Sequence, residues 1–355
     1  MTRIVHVVPE INEANGVWRV ASLLAQDQGG VVMQAAAPAL SSAITLAEEV
    51  WVHGAWLPCL WRAAHFAMRS GCRLVRMTHG SLSPIYLCRQ SPLKKRLVSP
   101  VERFFLRRAD RVIATCQTET EWIRTFEPHV RSIEVVDLKR FFNLPNSKTQ
   151  PPSLSIPQLD SAALHAAHSR SAPPSSLCAP PFLAELPSSQ LDSAALQAAP
   201  SRPSSAPNSP LRLLYLGRRH PLKGLQYLEE SVRQLGTHKI KVELEIVSKA
   251  FGAEKEALFE WCDVLVLPTL SENFGLVIAE ALERGKRVIT TDGAPAWNPD
   301  SCGDYGGRLI YISGFRSGSD SDRIKLLASA ITSLVNGCSI VGELNSSTRN
   351  SLPST

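Results

Sequence analysis

In the second half of the chain, two short segments place charged side chains where a strand gives way to a helix. The first reads LLYLGRRHPLKGLQYL. Its strand, 211–216, stops at Gly217, and the loop that follows carries Arg218, Arg219, His220 and Lys223 into a helix. A helix N-terminus offers unpaired N–H groups and the positive end of a dipole, so cations there suit a bound anion. Arg218 would present a forked donor to phosphate oxygens and Lys223 a compact charge. Together they make a clamp for a diphosphate, although the loop taken alone reads at least as readily as a solvated basic turn.

The second segment reads VLVLPTLSENFGLVIAEALERGKRVITT. A buried strand ends at Pro268, a polar loop runs through Thr269–Asn273, and Gly275 lets the backbone approach a ligand at a helix start. Glu272 sits in the loop and Glu280 lies inside the helix. A carboxylate in the loop suits a sugar hydroxyl. One in the first turns reaches ribose hydroxyls, while free N–H groups at Phe274, Gly275 and Leu276 face phosphates. As an isolated pair, Glu272 would cap the helix and Glu280 would be a surface acid. In the first half, VWVHGAWLP and RLVRMTHGSLSP bring His53 and His79 to strand ends. An imidazole at His79 could donate to a sugar or to a phosphate oxygen; the plainer reading of either histidine is a core residue satisfied by backbone.

Elements must hold these segments together. Short β-rich runs at 4–8, 50–53, 74–78, 112–115 and 133–136 alternate with helical patterns at 17–26, 58–68, 93–108 and 118–126. From 211 onward, runs at 211–217, 240–247, 264–268, 288–291 and 309–312 alternate with helices at 222–235, 254–261, 274–284 and 323–334. Runs such as VLVLP are apolar on both faces, as parallel strands covered by helices must be. The alternation predicts two doubly wound α/β domains, 1–140 and 211–340, whose ligands bind beyond the carboxyl ends of the strands. Between them, 141–210 is Pro/Ser/Ala-rich. Of the 60 residues 151–210, 38 are Pro, Ser or Ala and five are charged, too little apolar surface to offset ordering entropy, so a disordered linker is expected. The heptapeptide QLDSAAL recurs there at 158–164 and 190–196, but two short proline-flanked copies do not make a solenoid. The tail, 341–355, reads as frayed.

The paired segments resemble the donor domain of glycosyltransferase family 4, the retaining nucleotide-sugar enzymes of GT-B fold. The pattern stands here as Gly217-Arg218, Lys223-Gly224, Glu272 and Glu280-Ala281, followed by ERGKRVITTDG, and it covers most of 211–300. The resemblance implies two Rossmann-like domains facing a cleft. It implies that Arg218 and Lys223 hold the donor diphosphate, that Glu280 binds the ribose, and that Glu272 with the Asn273, Phe274 and Gly275 stretch holds the sugar. His79-Gly80 falls where the family places a cleft histidine, and Gly16 falls in a first loop that usually carries paired glycines. The stretch from Lys223 to Glu272 is short for the family, so a strand and the loop that reads the base are expected to be trimmed. The Pro-Asn-Gly turn usual at the domain junction is not recognisable in SIEVVDLKRFFNLPN. The implied activity is metal-independent transfer of a hexosyl group, without any cofactor, from a nucleoside diphosphate sugar, UDP-linked in expectation, to a glycan or lipid-linked acceptor of the cell envelope, as in lipopolysaccharide synthesis. A degenerate nucleotide-sugar or glycan binder and a GT-B nucleotide-sugar epimerase are the other readings of the same residues.

Composition narrows the remaining classes. Hydrophobic residues are 44% and charged residues 20%, ordinary for a globular protein, and no apolar run is long enough to cross a bilayer. MTRIVHVVPE reads as a first strand rather than a secretory signal. The eight cysteines are scattered without a CxxC or zinc spacing, which predicts reduced thiols in the cytoplasm. The net charge of +6 is concentrated at 89–111, where eight basic residues face two acids. That stretch reads as two short helices broken at Pro100. Lys94, Lys95, Arg96, Arg103, Arg107 and Arg108, with Phe104, Phe105 and Leu106 among them, could lie on an anionic membrane or simply form a solvated face. Nucleic acid is not an expected partner, since no basic strand is interleaved with aromatics. Asp320-Ser321-Asp322 sits in a loop signature, and no metal is expected there.

Overall fold

The computed structural model describes residues 3–12, 15–145, 209–238, 240–303 and 305–336. Nearly all of the expected linker and the whole expected tail lie outside the described residues. The first lobe runs β1 (Ile4–Val8), α1 (Gly16–Gln28), β2 (Val31–Gln34), α2 (Leu40–Thr45), β3 (Glu49–His53), α3 (Pro58–Arg69) and β4 (Arg73–Met77). It continues with α4 (Pro84–Arg89), α5 (Pro92–Arg108), β5 (Arg111–Ala114), α6 (Gln117–Phe126) and β6 (Ile133–Val135). The second lobe runs β7 (Leu211–Leu216), α7 (Leu225–Thr237), β8 (Val242–Val247), α8 (Gly252–Trp261), β9 (Val264–Leu267) and α9 (Leu276–Glu283). It closes with β10 (Arg287–Thr291), α10 (Pro299–Cys302), β11 (Leu309–Ile312) and α11 (Asp320–Val335).

Each lobe is one parallel sheet. The first has strand order β2-β1-β3-β4-β5-β6 and the second β11-β10-β9-β7-β8. Strands such as β9 (VLVL) are buried at every position because helices cover both faces. In the second sheet the chain leaves β7 for β8 on one side, then returns to place β9 on the other. The loops after β7 and β9 therefore diverge from adjacent strand ends and open a crevice there. These are the loops that carry Arg218 and Lys223 and that carry Glu272.

Three sequence expectations change. The strand β2 was not expected; it is a four-residue edge strand without a fully buried position, so it carries little hydrophobic signal. Pro100 does not break its segment: α5 is continuous from Pro92 to Arg108 with the proline inside. Pro100 removes one backbone donor on an exposed turn. Against that, Phe105 and Leu106 are buried, and the fully buried Glu102 ties the helix to the Trp56 amide (3.1 Å), the Trp61 indole (2.7 Å) and the Arg76 guanidinium. The helix expected from Phe274 instead starts at Leu276, because Gly275 adopts φ 70° and acts as its cap. Asp320 and Asp322 open α11: Asp322 completes a capping box with Ser319, and Asp320 pairs with Arg323 at 2.8 Å.

Candidate functional site

Backbone contacts at the crevice decide where the charges go. The carbonyl of Leu222 accepts from the Leu270 amide (2.8 Å) and from the Thr269 hydroxyl (3.0 Å), clipping the β7 loop to the β9 loop. Gly224, at φ 67°, lies so close that a Cβ would sit 1.9 Å from the Pro268 carbonyl oxygen. Only glycine permits that approach. The clip puts Lys223 Nζ 2.6 Å from Glu272 and 3.4 Å from the Ser271 carbonyl. On the other side of Gly217, the Tyr215 hydroxyl donates to the Arg218 carbonyl (3.0 Å) and fixes the loop; burial, then the nearby Glu272, pushes that phenol up to about 12. The Arg218 side chain is exposed, and among the described residues it has no hydrogen-bond or ion-pair partner.

Glu280 is not a surface acid. It is 2% exposed, and each oxygen takes one cation: Oε1 meets Arg19 at 2.9 Å and Oε2 meets Lys255 at 2.5 Å. Arg19 comes from α1 of the first lobe and Lys255 from α8 of the second. Burial, the leading cause, lowers the Lys255 ammonium below its ordinary range despite the carboxylate. Neither cation was identified from sequence, yet both sit in the first turn of a helix, where the dipole disfavours positive charge. That local conflict was the available signal of a tertiary partner.

The first lobe brings His79 to the same place. His79 and Gly80, at φ 51° and 70°, turn the chain at the end of β4. The buried Glu119 of α6 anchors this turn, accepting from the Gly80 amide (2.6 Å), the Thr78 hydroxyl (3.0 Å), and both the amide and hydroxyl of Thr115 (2.8 Å each). The Thr115 hydroxyl also lies 2.9 Å from the Asn273 amide group, and Ser83 meets Ser271 at 3.3 Å. The Asn273 atom in this contact is Oδ1, an acceptor, so the single Thr115 hydroxyl proton is shared between it and the Glu119 carboxylate. The two lobes are joined beside the site.

A cavity of about 320 Å³ results. Gly16, His79, Gly217, Arg218, Lys223, Glu272, Asn273, Phe274, Gly275, Leu276 and Glu280, the residues singled out from sequence for the donor site, all line it. Arg19, Lys249 and Lys255 add cations, so five positive side chains stand against two carboxylates. Ser248–Phe251 closes the side beyond β8. Among the described residues, no group of three or more His, Cys, Asp or Glu has an arrangement that could hold a metal ion.

The basic segment lies elsewhere, on α5. Arg96, Arg103, Arg107 and Arg108 are exposed there, with Leu93 (68% exposed), Leu97 (64%) and Phe104 (42%) at helical spacing among them. Arg103 stacks on Phe126 and Arg107 lies 3.4 Å from Glu127; the side chains of Lys94 and Lys95 lie outside the described residues. Among the described residues no helix is long and apolar enough to cross a membrane.

Residues 8–138 match the glycosyl transferase 4-like domain, and residues 249–299 match glycosyl transferases group 1. No curated protein matches the chain. Among solved structures it is similar to sucrose-phosphate synthase from Thermosynechococcus elongatus, with a TM-score of 0.53 at 15% identity over 95% of this chain and 90% of that one. It is similar also to WaaG, a glycosyltransferase involved in lipopolysaccharide biosynthesis (0.52, 11% identity, 95% and 92% covered). A third likeness is to an alpha,alpha-trehalose-phosphate synthase (UDP-forming) from Burkholderia vietnamiensis (0.50, 11%, 94% and 91%). With a glycosyltransferase domain matched on each lobe and a two-sheet architecture shared with such enzymes, the chain belongs to the group 1, family 4-like glycosyltransferases of GT-B fold.

Proposed function

We propose that this glycosyltransferase moves a sugar from a nucleoside diphosphate sugar, UDP-linked, to a glycan or lipid-linked acceptor of the cell envelope, with retention and without a metal. The observation that carries the reading is the convergence of Lys223, Arg218, Glu272, Glu280 and the start of α9 on one cavity. As the bond from sugar to phosphate breaks, negative charge grows on the diphosphate. Lys223, held by Glu272, and the first-turn N–H groups of α9 stand beside the crevice before that charge develops, so they favour the transition state over the ground state, and the exposed Arg218 would close on the diphosphate as it binds. Lys223 is shared with Glu272 at 2.6 Å, which orients the ammonium while leaving it further donors. Glu272 and Asn273 then face sugar hydroxyls.

Glu280 can serve a ribose although it already holds two cations. A carboxylate has about four lone-pair sites, so one remains on each oxygen for the two ribose hydroxyls. Phe251, 39% exposed at the cavity wall, offers a flat face to the base. Retention follows from attack on the face from which the diphosphate leaves, the acceptor proton passing to the departing phosphate. On α5, the exposed Leu93, Leu97 and Phe104 with their arginines would rest on an anionic membrane, at about 1 kcal/mol per basic residue near the surface.

A thermal-shift panel of UDP-, GDP- and ADP-sugars with EDTA present tests the donor and the metal-free chemistry together. UDP-sugars should stabilise the protein, and slow release of UDP without acceptor should accompany them. No stabilisation by any series ends the donor reading. Epimerised sugar nucleotide with no free nucleotide would favour the epimerase, and binding without turnover the degenerate relative. Failure to sediment with anionic phosphatidylglycerol vesicles at low salt would remove the membrane.

A further inference from the structure

Behind His79 runs a row of hydrogen-bonded polar side chains. His79 Nε2 lies 3.0 Å from His53 Nδ1, His53 Nε2 lies 2.9 Å from His6 Nδ1, and His6 Nε2 lies 3.2 Å from Gln28 Oε1. The chain crosses the sheet from the end of β4 through β3 and β1 to the last residue of α1. His6 and His53 are fully buried, and Trp51 stacks on His6 at 5.1 Å. Burial first, then the facing His79 and His6 and the charged Arg76 of β4, holds His53 well below its ordinary value and keeps it neutral.

A neutral imidazole has one donor and one acceptor nitrogen, so a row of them has a direction. Gln28 Oε1 can only accept, so His6 donates from Nε2 and must accept at Nδ1. His53 then donates from Nε2 and accepts at Nδ1, and His79 must donate from Nε2. Among the described residues nothing bonds to His79 Nδ1. We infer that Gln28, His6 and His53 are positioning residues that hold His79 in one neutral tautomer, protonated on Nε2 and bare on Nδ1. A bare nitrogen accepts a hydroxyl proton and repels a phosphate oxygen. On a residue lining the cavity, it therefore addresses a hydroxyl of the transferred sugar and not the diphosphate. That last step rests on the donor reading above; the tautomer does not.

The test is nitrogen NMR of the full-length protein labelled with 15N-histidine, with the His79 signals assigned by a His79→Gln variant. His79 should show a protonated Nε2 and a bare Nδ1 from about pH 5 to about pH 8. His53→Phe cuts the chain beside His79. Gln28→Leu cuts it at its half-buried end, where folding is not at stake, and water, which can donate or accept, replaces the directed acceptor. Both should give a mixture of tautomers, and Gln28→Glu, acceptor only, should restore the single one. The same Leu variant should lose about tenfold in kcat/KM, the scale of one hydrogen bond, and the Glu variant should recover it. A His79 that titrates in this range, carries its proton on Nδ1, or keeps its tautomer in both cut variants overturns the inference. The spectra need no sugar nucleotide, so an inactive protein with the expected tautomer sinks the donor reading and leaves the chain standing.

Discussion

Acid should destabilise this protein earlier than carboxylate titration would. Burial pulls the His6 imidazole from 6.5 down to about 4 and His79 to about 3, and it pulls His53 well below its ordinary value, helped by the facing His79, His6 and Arg76. Each folded value lies below the unfolded one. Between pH 6.5 and pH 4 the unfolded chain therefore binds protons that the native chain refuses, and stability falls as pH falls. At about pH 5 an unfolded histidine gains about 2 kcal/mol from protonation, while native His6 gains almost nothing. His6 alone thus removes about 2 kcal/mol, and His53 and His79 act in the same direction. Domains are stable by only ~5–15 kcal/mol, so the loss is large. Urea unfolding at about pH 7.5 and about pH 5 should show the midpoint dropping at constant slope. His6→Asn should flatten the profile by about 2 kcal/mol. A wild-type midpoint that does not move between these pH values would refute the buried, neutral chain.

Lys223→Met should lower kcat by about 10²–10³, the scale of losing one fixed charge at a developing anion, with a smaller change in donor KM; pre-steady-state release of nucleotide reads it. Glu280→Gln leaves Arg19 and Lys255 without a counter-charge. It should raise the donor KM more than it lowers kcat, and paired with Arg19→Gln it should be non-additive in a double-mutant cycle on donor binding. Gly224→Ala drives a methyl into the Pro268 carbonyl, so it should cost several kcal/mol by urea unfolding, or abolish soluble expression, while Gly236→Ala, with open space at its Cβ, should not destabilise.

Much of the donor half was legible because its signals are local. Gly217, Arg218, Lys223 and Gly224 follow one strand, and Glu272, Gly275 and Glu280 follow another. In a parallel sheet, strand ends and helix starts lie on one edge, so residue order alone brings each segment to the crevice. The edge strand β2 escaped because a short strand without a fully buried position has little periodicity to show. Pro100 reads locally as a break, but the tertiary anchor Glu102 outweighs the one backbone donor that the proline removes.

Residue order therefore determined the two parallel sheets, the loops that bear the anion-binding cations, and the glycines that let those loops meet. It did not determine what Glu280 touches, or that histidines from three strand segments form one directed row. Those contacts join residues far apart in the chain, Arg19 to Glu280 and His6 to His53 and His79, and neither helical nor strand periodicity encodes which distant partner a buried polar group will find. Only tertiary packing does so, within the first lobe for the histidines and between the lobes for Arg19 and Glu280, because burial leaves a polar group with no water to turn to.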